Sequence, residues 1–358
     1  MINQTAVNDS NLDIFMLNIP KAEVFLFGCT LSLLIVLITL GNALVWIFFW
    51  RFRNLRNLTN YFVCSLAVAD ILVPVLRVVY IVISIFKERW IFGLSWCEIS
   101  SMCGVLTCGS SILHLCAISI ERLIAIKWPL SYNTKVTSKR VIIVLSYIWI
   151  QSSLLSIISV LPIDIAQHRF NPDAAECEIG WHEDPKLTLL LIFFYFFVPI
   201  DIMVIAYATI FKEARRNTRR VQTFHLRVNG KSTFSVFKKE LKAVKTLAVV
   251  IGVFFVMWMP FFVTTTIRAF KLERYVTGWL QRLVMTLAYA NSACNFVIYA
   301  LMNFHYRNAF VQVFAGRTGA RWIIRSNGIL PSQYLKNASR RIESQSTLKQ
   351  FNDQACAS

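Results

Sequence analysis

Seven separate apolar stretches, each long enough to cross a lipid bilayer, constrain the fold of this chain more than any other feature. A membrane-spanning helix needs about 20 predominantly apolar residues, and the stretches that meet this requirement are Val24–Trp50, Thr59–Phe86, Glu98–Ile120, Val141–Ile163, Leu187–Phe211, Thr246–Ile267 and Leu283–Met302. Beyond their end residues, the charged side chains within them are Asp70, Arg77 and Asp201. Helices satisfy their backbone hydrogen bonds within one segment, whereas barrel strands would alternate over about ten residues. The stretches therefore predict an all-α membrane protein, a bundle of seven transmembrane helices.

The basic residues, which give the 358-residue chain a net charge of +18, lie mainly on one side of the predicted bundle. They follow the first, third, fifth and seventh stretches, among them Arg51, Arg53, Arg56, Lys127, Lys135, Arg140, Lys212, Arg216, Lys242, Arg307 and Arg317. Cytoplasmic loops carry the excess of Lys and Arg, so we expect a multi-pass plasma-membrane protein with an extracellular N-terminus and a cytosolic C-terminus. Topology and attraction to the lipid bilayer account for the charge, and the sequence predicts no nucleic-acid partner.

The seven stretches divide the chain into four regions. These are an extracellular tail over 1–22, the transmembrane domain over 23–303, a short amphipathic helix on the membrane surface over 304–316 and a disordered cytosolic tail over 317–358. The first twenty residues lack the basic and apolar regions of a signal peptide, so we expect the first span to direct insertion. Asn3 and Asn8 begin glycosylation sequons on the outer tail, which predicts a glycoprotein.

Two of the nine cysteines lie in extracellular positions. Cys97 stands at the outer end of the third span, and Cys177 lies in the loop before the fifth. Six others lie in spans, where a small apolar thiol is the expected role. Because the extracellular compartment permits disulfides, we predict a Cys97–Cys177 bond that ties the long outer loop across the mouth of the bundle.

Each span also carries a short motif, and the motifs occur in a fixed order. They are Gly41-Asn42, the run Ser65–Asp70, Glu121-Arg122-Leu123, Trp149, Pro199 with Tyr207, Phe254 with Trp258-Met259-Pro260, and the run Asn295–Tyr299. Together they resemble the rhodopsin-like (class A) G-protein-coupled receptors over residues 22–314. Within that family, the sixth-span residues around Trp258 and the run Ala290–Cys294 are most similar to the biogenic-amine branch.

The resemblance implies a switch at the cytosolic ends of the helices. Arg122 would pair with Glu121 beside it or with Glu240 at the foot of the sixth helix, and breaking the second pair would open a groove for a G-protein helix. The other interpretation is that Arg122 extends toward water at a helix end. The remaining switch residues implied by the family are Tyr207 and Tyr299, with Ile112, Pro199 and Phe254 as the packing connector between the outer and inner halves.

Asp70 is a carboxylate in the middle of the membrane, where ionisable groups are usually functional. Ser111, Asn291, Ser292 and Asn295 lie on neighbouring spans and resemble, with Asp70, the sodium pocket of the family. Oxygen ligands of this kind suit a small cation, so an allosteric sodium ion is the one cofactor implied. The alternative is a protonated Asp70 in a buried hydrogen-bond network.

Gly104 is the main departure from the amine branch, which keeps its amine-binding aspartate at this position. It lies 18 residues before Arg122, which is about five helical turns and about 27 Å along the same face. The predicted pocket comprises Arg77, Gly104, Cys108, Trp258, Phe261, Phe262 and Tyr289. Arg77 either receives an anionic ligand group, or it forms a structural pair with Glu98 or extends to outer water.

Two further departures concern the switch. Leu123 replaces the aromatic residue after Arg122, and Phe296 replaces the proline of the seventh span, which removes a signal for a helix kink. The first change leaves the acid and the arginine of the switch in place. The second puts the inward movement of Tyr299 in question.

Three classes of function follow from these observations. The first is a receptor that passes an extracellular small-molecule signal to heterotrimeric G proteins, with arrestin and a receptor kinase as further partners. Its ligand is not expected to be a simple monoamine and is anionic if Arg77 binds it; an amine held by another counter-charge is the alternative. The second class is a transporter, which the absence of inverted repeats disfavours. The third is a receptor-fold protein that signals without a ligand. None of the three is an enzyme.

Overall fold

The computed structural model describes residues 16–158, 168–180, 184–225 and 231–314. Within these ranges seven helices are long and apolar enough to cross a membrane: Lys21–Arg51, Leu58–Phe86, Gly93–Lys127, Ser138–Ile157, Pro185–Glu213, Ala248–Ala269 and Gly278–Leu301. This confirms the predicted seven-helix class. The sequons at Asn3 and Asn8 and the tail beyond residue 314 lie outside the described residues.

The helical elements in chain order include several short pieces and breaks within spans. They are α1 (Lys21–Arg51), α2 (Leu58–Val73), α3 (Val79–Phe86), α4 (Gly93–Lys127), α5 (Tyr132–Lys135), α6 (Ser138–Ile158), α7 (Pro185–Ile192), α8 (Val198–His225), α9 (Lys231–Ala269), α10 (Gly278–Met302) and α11 (Phe304–Phe314). The chain divides into two compact units, Met1–Arg307 and Asn308–Ser358. The first contains all seven spans.

Two spans are interrupted by a π-helical turn. In the second span, Pro74 begins a π turn over Pro74–Val78 that joins α2 to α3. Proline has no N–H to donate to the preceding turn, and π turns occur as single-turn bulges inside α-helices. Arg77 lies in this turn and is 7% exposed, so its side chain is directed into the bundle as the sequence predicted. The second π turn, Phe193–Phe197, joins α7 to α8.

Helix α4 lies at the centre of the bundle. It packs against α2, α6 and α8, and its outer part contacts both strands of the extracellular loop. Side chains buried along its length include Ser100, Ile112 and Glu121, one from each of its outer, middle and inner parts. One continuous helix therefore links the end of the bundle that carries the loop strands to the opposite end.

The loop between α6 and α7 contains a two-stranded antiparallel hairpin, the one sheet among the described elements. Strand β1 (His168–Asn171) pairs with β2 (Glu176–Ile179), with Phe170 opposite Cys177. The disulfide between Cys97 and Cys177, whose Cα atoms are 5.2 Å apart, fixes β2 to the outer end of α4. The predicted disulfide is thus confirmed, and the hairpin, which the sequence did not predict, is held at the mouth of the bundle.

Phe296, which stands where the family has a proline, packs on α1. A Cβ atom added to Gly41 would lie 2.5 Å from Cδ1 of Phe296, so only a glycine on α1 leaves room for this ring. Helix α10 continues without interruption from Gly278 to Met302 through this position. A close aromatic contact between two helices therefore replaces the usual proline site.

Candidate functional site

A cavity of about 200 Å³ lies beneath the hairpin, between α4, α9, α10 and the π turn of the second span. Its lining includes all seven residues that the sequence predicted for the pocket, namely Arg77, Gly104, Cys108, Trp258, Phe261, Phe262 and Tyr289. The hairpin adds Glu176 and Glu178 from above. Whether these residues bind a ligand stays a prediction, but the fold brings them together around one space.

Gly104 makes room for the side chain of Arg77. A Cβ atom at position 104 would lie 2.5 Å from Nη1 of Arg77 and 3.1 Å from its Cζ. Contacts below 3.0 Å are far inside van der Waals distance, so a side chain here would displace the guanidinium. The guanidinium of Arg77, from the second span, fills the space beside α4 that Gly104 leaves open.

The Arg77 guanidinium makes four hydrogen bonds, to three different parts of the structure. Its Nε donates to the hydroxyl of Tyr289 at 2.8 Å, and Nη1 donates to the carbonyl of Ser100 at 3.1 Å. Its Nη2 donates to Oε2 of Glu176 at 3.1 Å and to the carbonyl of Cys177 at 3.0 Å. These bonds join the second span, α4, α10 and the hairpin at one point.

The Arg77–Glu176 ion pair bears on the alternatives left open for Arg77. Its two side chains are 9% and 3% exposed, and Glu98, the partner that the sequence suggested, is exposed. Burial raises the pKa of the Glu176 carboxyl, whereas Arg77 and the Tyr289 hydroxyl act to lower it. Arg77 therefore pairs with the hairpin glutamate and not with Glu98, and whether it also receives a ligand group stays a prediction.

A second ion pair closes the same cavity on the side of α9. Arg268 donates through both terminal nitrogens to the carboxylate of Glu178, at 2.8 and 2.6 Å. This bidentate arrangement is the strongest geometry for an arginine–carboxylate pair. No sequence motif had pointed to Glu178 or Arg268, which lie 90 residues apart along the chain.

An aromatic cluster forms the wall of the cavity on α9. The rings of Trp258 and Phe261 meet edge to face with centroids 5.6 Å apart, and Phe261 and Phe262 are 5.4 Å apart. Phe196 of the second π turn supports Phe262 at 4.2 Å, and Phe254 lies one turn inward of Trp258 at 6.1 Å. These are favourable aromatic geometries, so the wall is a packed surface that any ligand must meet.

Replacing Gly104 by alanine tests the fit of Arg77 against α4. Because the new Cβ would lie 2.5 Å from Nη1, we expect Gly104→Ala to lower the free energy of unfolding by about 1–3 kcal/mol, the usual cost of overpacking. Gly109→Ala on the same helix is the matched control, since its Cβ would meet Ser152 Oγ at an ordinary 3.5 Å. Unfolding in bicelles measures both, and equal stability of the two variants would contradict the contact.

The Asp70 cluster lies further inside the bundle. Asp70 is 1% exposed, and it accepts hydrogen bonds from Ser111 Oγ at 3.3 Å and from Asn295 Nδ2 at 2.9 Å. Ser292 also hydrogen-bonds to the carboxylate, and Asn291 is buried in the same region of α10. Ser111, Asn291 and Ser292 line the inner end of the cavity as well. The side chains predicted for an ion site are thus adjacent to the proposed pocket.

Arg122 lies near the C-terminal end of α4, where Glu121 and Thr59 hold its side chain. Its Nε lies 2.9 Å from Oε2 of Glu121, and its Nη2 donates to the hydroxyl of Thr59. Glu121 also accepts hydrogen bonds from Thr59, at 3.0 Å, and from the hydroxyl of Tyr132. Burial and the Glu121 carboxylate raise the pKa of Tyr132 to about 12, so this hydroxyl remains a donor. The sequence did not point to Thr59, which lies 63 residues from Arg122 along the chain, or to Tyr132, which begins the short helix α5.

The Arg122–Glu240 pair stays a prediction, because the side chain of Glu240 on α9 lies outside the described residues. The other switch residues occupy the interior between the cavity and Arg122. Ile112, Phe254 and Tyr299 are each no more than 3% exposed, and the carbonyl of Pro199 accepts a hydrogen bond from Cys116 Sγ at 3.5 Å. Tyr207 is partly buried on α8. The structure therefore places this set between the two ends of α4.

Comparison with known proteins gives consistent matches along most of the chain. The family described as "7 transmembrane receptor (rhodopsin family)" matches residues 41–299. The human histamine H2 receptor is 34% identical over 317 residues, which cover 87% of this chain and 85% of the relative. The 5-hydroxytryptamine receptor 4 of Cavia porcellus is 32% identical, over 79% of this chain and 78% of the relative. The alpha-1A adrenergic receptor of Cavia porcellus is 32% identical, over 83% of this chain and 68% of the relative. The crystal structure of squid rhodopsin superposes with a TM-score of 0.77 at 21% identity, over 94% of this chain and 96% of that one.

Proposed function

Because this chain belongs to the rhodopsin family of seven-transmembrane receptors, we propose that it transmits an extracellular small-molecule signal to heterotrimeric G proteins. It is a signalling receptor and not an enzyme, and a multi-pass protein of the plasma membrane. The observation that carries the proposal is the layout of α4, which lines the cavity at Gly104 and holds the Arg122–Glu121 ion pair near its other end. Arrestin and a receptor kinase are proposed as further partners of the cytosolic side.

The geometry supports transmission along α4 and α9. A ligand in the cavity meets Trp258 and Phe261, and Phe254 one turn further inward packs on Trp258. Buried, closely packed helices move as units and not by continuous deformation. A displacement of α9 at the cavity would therefore reach its cytosolic end, where Glu240 is proposed to face Arg122. Separation of these ends would expose a groove for a helix of the G protein.

Nucleotide exchange on purified G proteins tests this function. The full chain in nanodiscs is expected to accelerate exchange on at least one class of heterotrimer, either with a ligand from a mixed small-molecule panel or without one. Arg122→Gln is expected to change the exchange rate at least tenfold. Arg140→Gln is the matched control, because Arg140 is also cytosolic but contacts only the carbonyls of Thr134 and Lys135. An Arg122→Gln protein that behaves like the Arg140→Gln protein would contradict the proposed switch.

The ligand is proposed not to be a simple monoamine, although similar proteins include histamine, 5-hydroxytryptamine and adrenergic receptors. An ammonium group near Gly104 would meet the guanidinium of Arg77, a like charge in a buried site. An anionic ligand has less support than the sequence alone suggested, because Arg77 already has a carboxylate partner in Glu176.

We also propose that the Asp70 cluster holds an allosteric sodium ion. The carboxylate, with the hydroxyl oxygens of Ser111 and Ser292 beside it, offers the oxygen ligands that a small hard cation prefers. The ion would supply a positive charge that keeps Asp70 ionised within the bundle. Sodium is then expected to raise the unfolding temperature of the wild type relative to choline at equal ionic strength, and Asp70→Asn is expected to remove this difference. An equal response of both proteins would contradict the ion site.

A further inference from the structure

We propose that the cavity selects an uncharged ligand, an aromatic molecule with a hydroxyl or similar hydrogen-bond donor, because the receptor supplies both members of every charge pair that lines it. The inference deepens the proposed function and rests on it, since it names the class of molecule that the same cavity would recognise. Its basis is the pairing of the charged side chains, the apolar wall and the hydrogen-bonding state of the hydroxyls.

The charges around the cavity are paired with each other. Among the described lining residues, the charged ones are Arg77, Arg268, Glu176 and Glu178. Nη2 of Arg77 lies 3.1 Å from Glu176, and Nη2 of Arg268 lies 2.6 Å from Glu178. The two cations and two carboxylates sum to zero. An ion entering this space would find its counter-charge already bound.

The Arg77–Glu176 pair disfavours ligands of either sign. A cation that approached Glu176 would have to displace Arg77, and the displaced guanidinium would lose its bonds to Tyr289 and Ser100 as well. An anion that approached Arg77 would have to displace Glu176, which is 2% exposed and lies on strand β2 of the hairpin. Removing one member of a buried pair leaves an uncompensated charge, which is costly. An uncharged ligand requires neither displacement.

The remaining surface of the cavity favours an aromatic body. Trp258, Phe261 and Phe262 present packed rings from α9, and Leu191 and Ile192 face them from α7. Binding pockets with such walls bury the apolar part of a ligand and orient it through a few polar groups. Aromatic rings stack or meet edge to face on a surface of this kind.

The hydroxyls of the cavity are arranged to accept a hydrogen bond. Thr107 Oγ1 donates its proton to the carbonyl of Cys103 at 2.8 Å, and Thr264 Oγ1 donates to the carbonyl of Pro260 at 3.0 Å. Each oxygen retains acceptor lone pairs once its proton is engaged. A ligand hydroxyl or amide N–H can donate to either oxygen. The cavity therefore suits an uncharged aromatic alcohol, phenol or amide.

Three probes that share one ring and differ in charge test the inference: 2-phenylethanol, 2-phenylethylamine as its ammonium ion, and phenylacetate. Their dissociation constants are measured at neutral pH on the purified full chain in nanodiscs. For the wild type we expect 2-phenylethanol to bind at least tenfold more tightly than either ion. Arg77→Leu frees Glu176 and is expected to make the ammonium probe the tightest ligand, whereas Glu176→Gln frees Arg77 and is expected to favour phenylacetate. If Arg77→Leu does not fold, the order of the three dissociation constants in Glu176→Gln alone tests the inference.

The control is an ion pair outside the cavity lining. Arg282 pairs with Glu23 at the outer ends of α10 and α1, so Arg282→Gln is expected to keep the wild-type order of the probes. Tighter binding of either ion than of the alcohol by the wild type, or an unchanged order in Glu176→Gln, would overturn the inference. The exchange assay separates the two proposals: normal exchange with the wrong probe order contradicts only the uncharged-ligand inference, and the expected probe order without exchange on any G protein contradicts only the receptor function.

Discussion

Arg77→Leu is expected to lower the free energy of unfolding by about 3–5 kcal/mol, because it leaves the buried carboxylate of Glu176 without its counter-charge. Glu176 is 2% exposed, and the guanidinium is the cation that pairs with it inside the bundle. The substitution also removes the donors that satisfy the carbonyls of Ser100 and Cys177. Denaturant unfolding of the purified protein in bicelles, followed by tryptophan fluorescence, measures the loss.

Arg216→Leu is the control for this prediction. Arg216 also pairs with a glutamate, Glu213, but at 3.9 Å and with 60% of its side chain exposed. Exposed pairs of this kind contribute little, so the control is expected to unfold like the wild type. If Arg77→Leu were as stable as Arg216→Leu, the pair would not stabilise the bundle in the way that its burial indicates.

Replacing both cysteines of the disulfide by serine is expected to lower the free energy of unfolding by about 2–5 kcal/mol. The bond joins residues 80 positions apart, and closing a loop of that size restricts the unfolded chain strongly. Cys177 also lies between Glu176 and Glu178 on β2, so a released hairpin would weaken both ion pairs of the cavity.

Loss of the Cys97–Cys177 bond can be separated from loss of a thiol. Cys29 on α1 is an exposed free cysteine, and Cys29→Ser is expected to leave stability unchanged. Unfolding temperatures are measured for Cys97→Ser/Cys177→Ser, for Cys29→Ser, and for the wild type with and without a reductant. Unfolding of the reduced wild type at the temperature of the oxidised protein would contradict a stabilising disulfide.

The spans could be predicted from the sequence because lipid imposes a simple rule on length and polarity. The helix ends could not be predicted as well. The third span was expected over Glu98–Ile120, and α4 runs over Gly93–Lys127. The extra turns at the two ends of α4 include Trp96 and Arg122. These turns are not part of an apolar stretch, so hydropathy does not predict that the helix continues through them. The helical repeat, in contrast, correctly placed Gly104 at the cavity and Arg122 in the interior below it.

The partner of Arg77 could not be predicted in the same way. The sequence placed Arg77 in the predicted pocket, but Glu176 lies 99 residues away on the hairpin. Its position depends on the pairing of β1 with β2 and on the disulfide that fixes β2 to α4. Neither follows from the local pattern around residue 176. The contact of Phe296 with Gly41 is of the same kind, because it joins helices that are far apart along the chain.

A double-mutant cycle on Arg77 and Glu176 tests most directly whether the cavity supplies its own counter-charge. The unfolding free energies of Arg77→Leu, Glu176→Leu and the double variant are measured in bicelles against the wild type. Because the two side chains are in contact and buried, we expect the double variant to be destabilised by less than the sum of the single losses, with a coupling energy of about 2–3 kcal/mol. Single losses that add to within about 0.5 kcal/mol, as they do for independent sites, would contradict the internal ion pair.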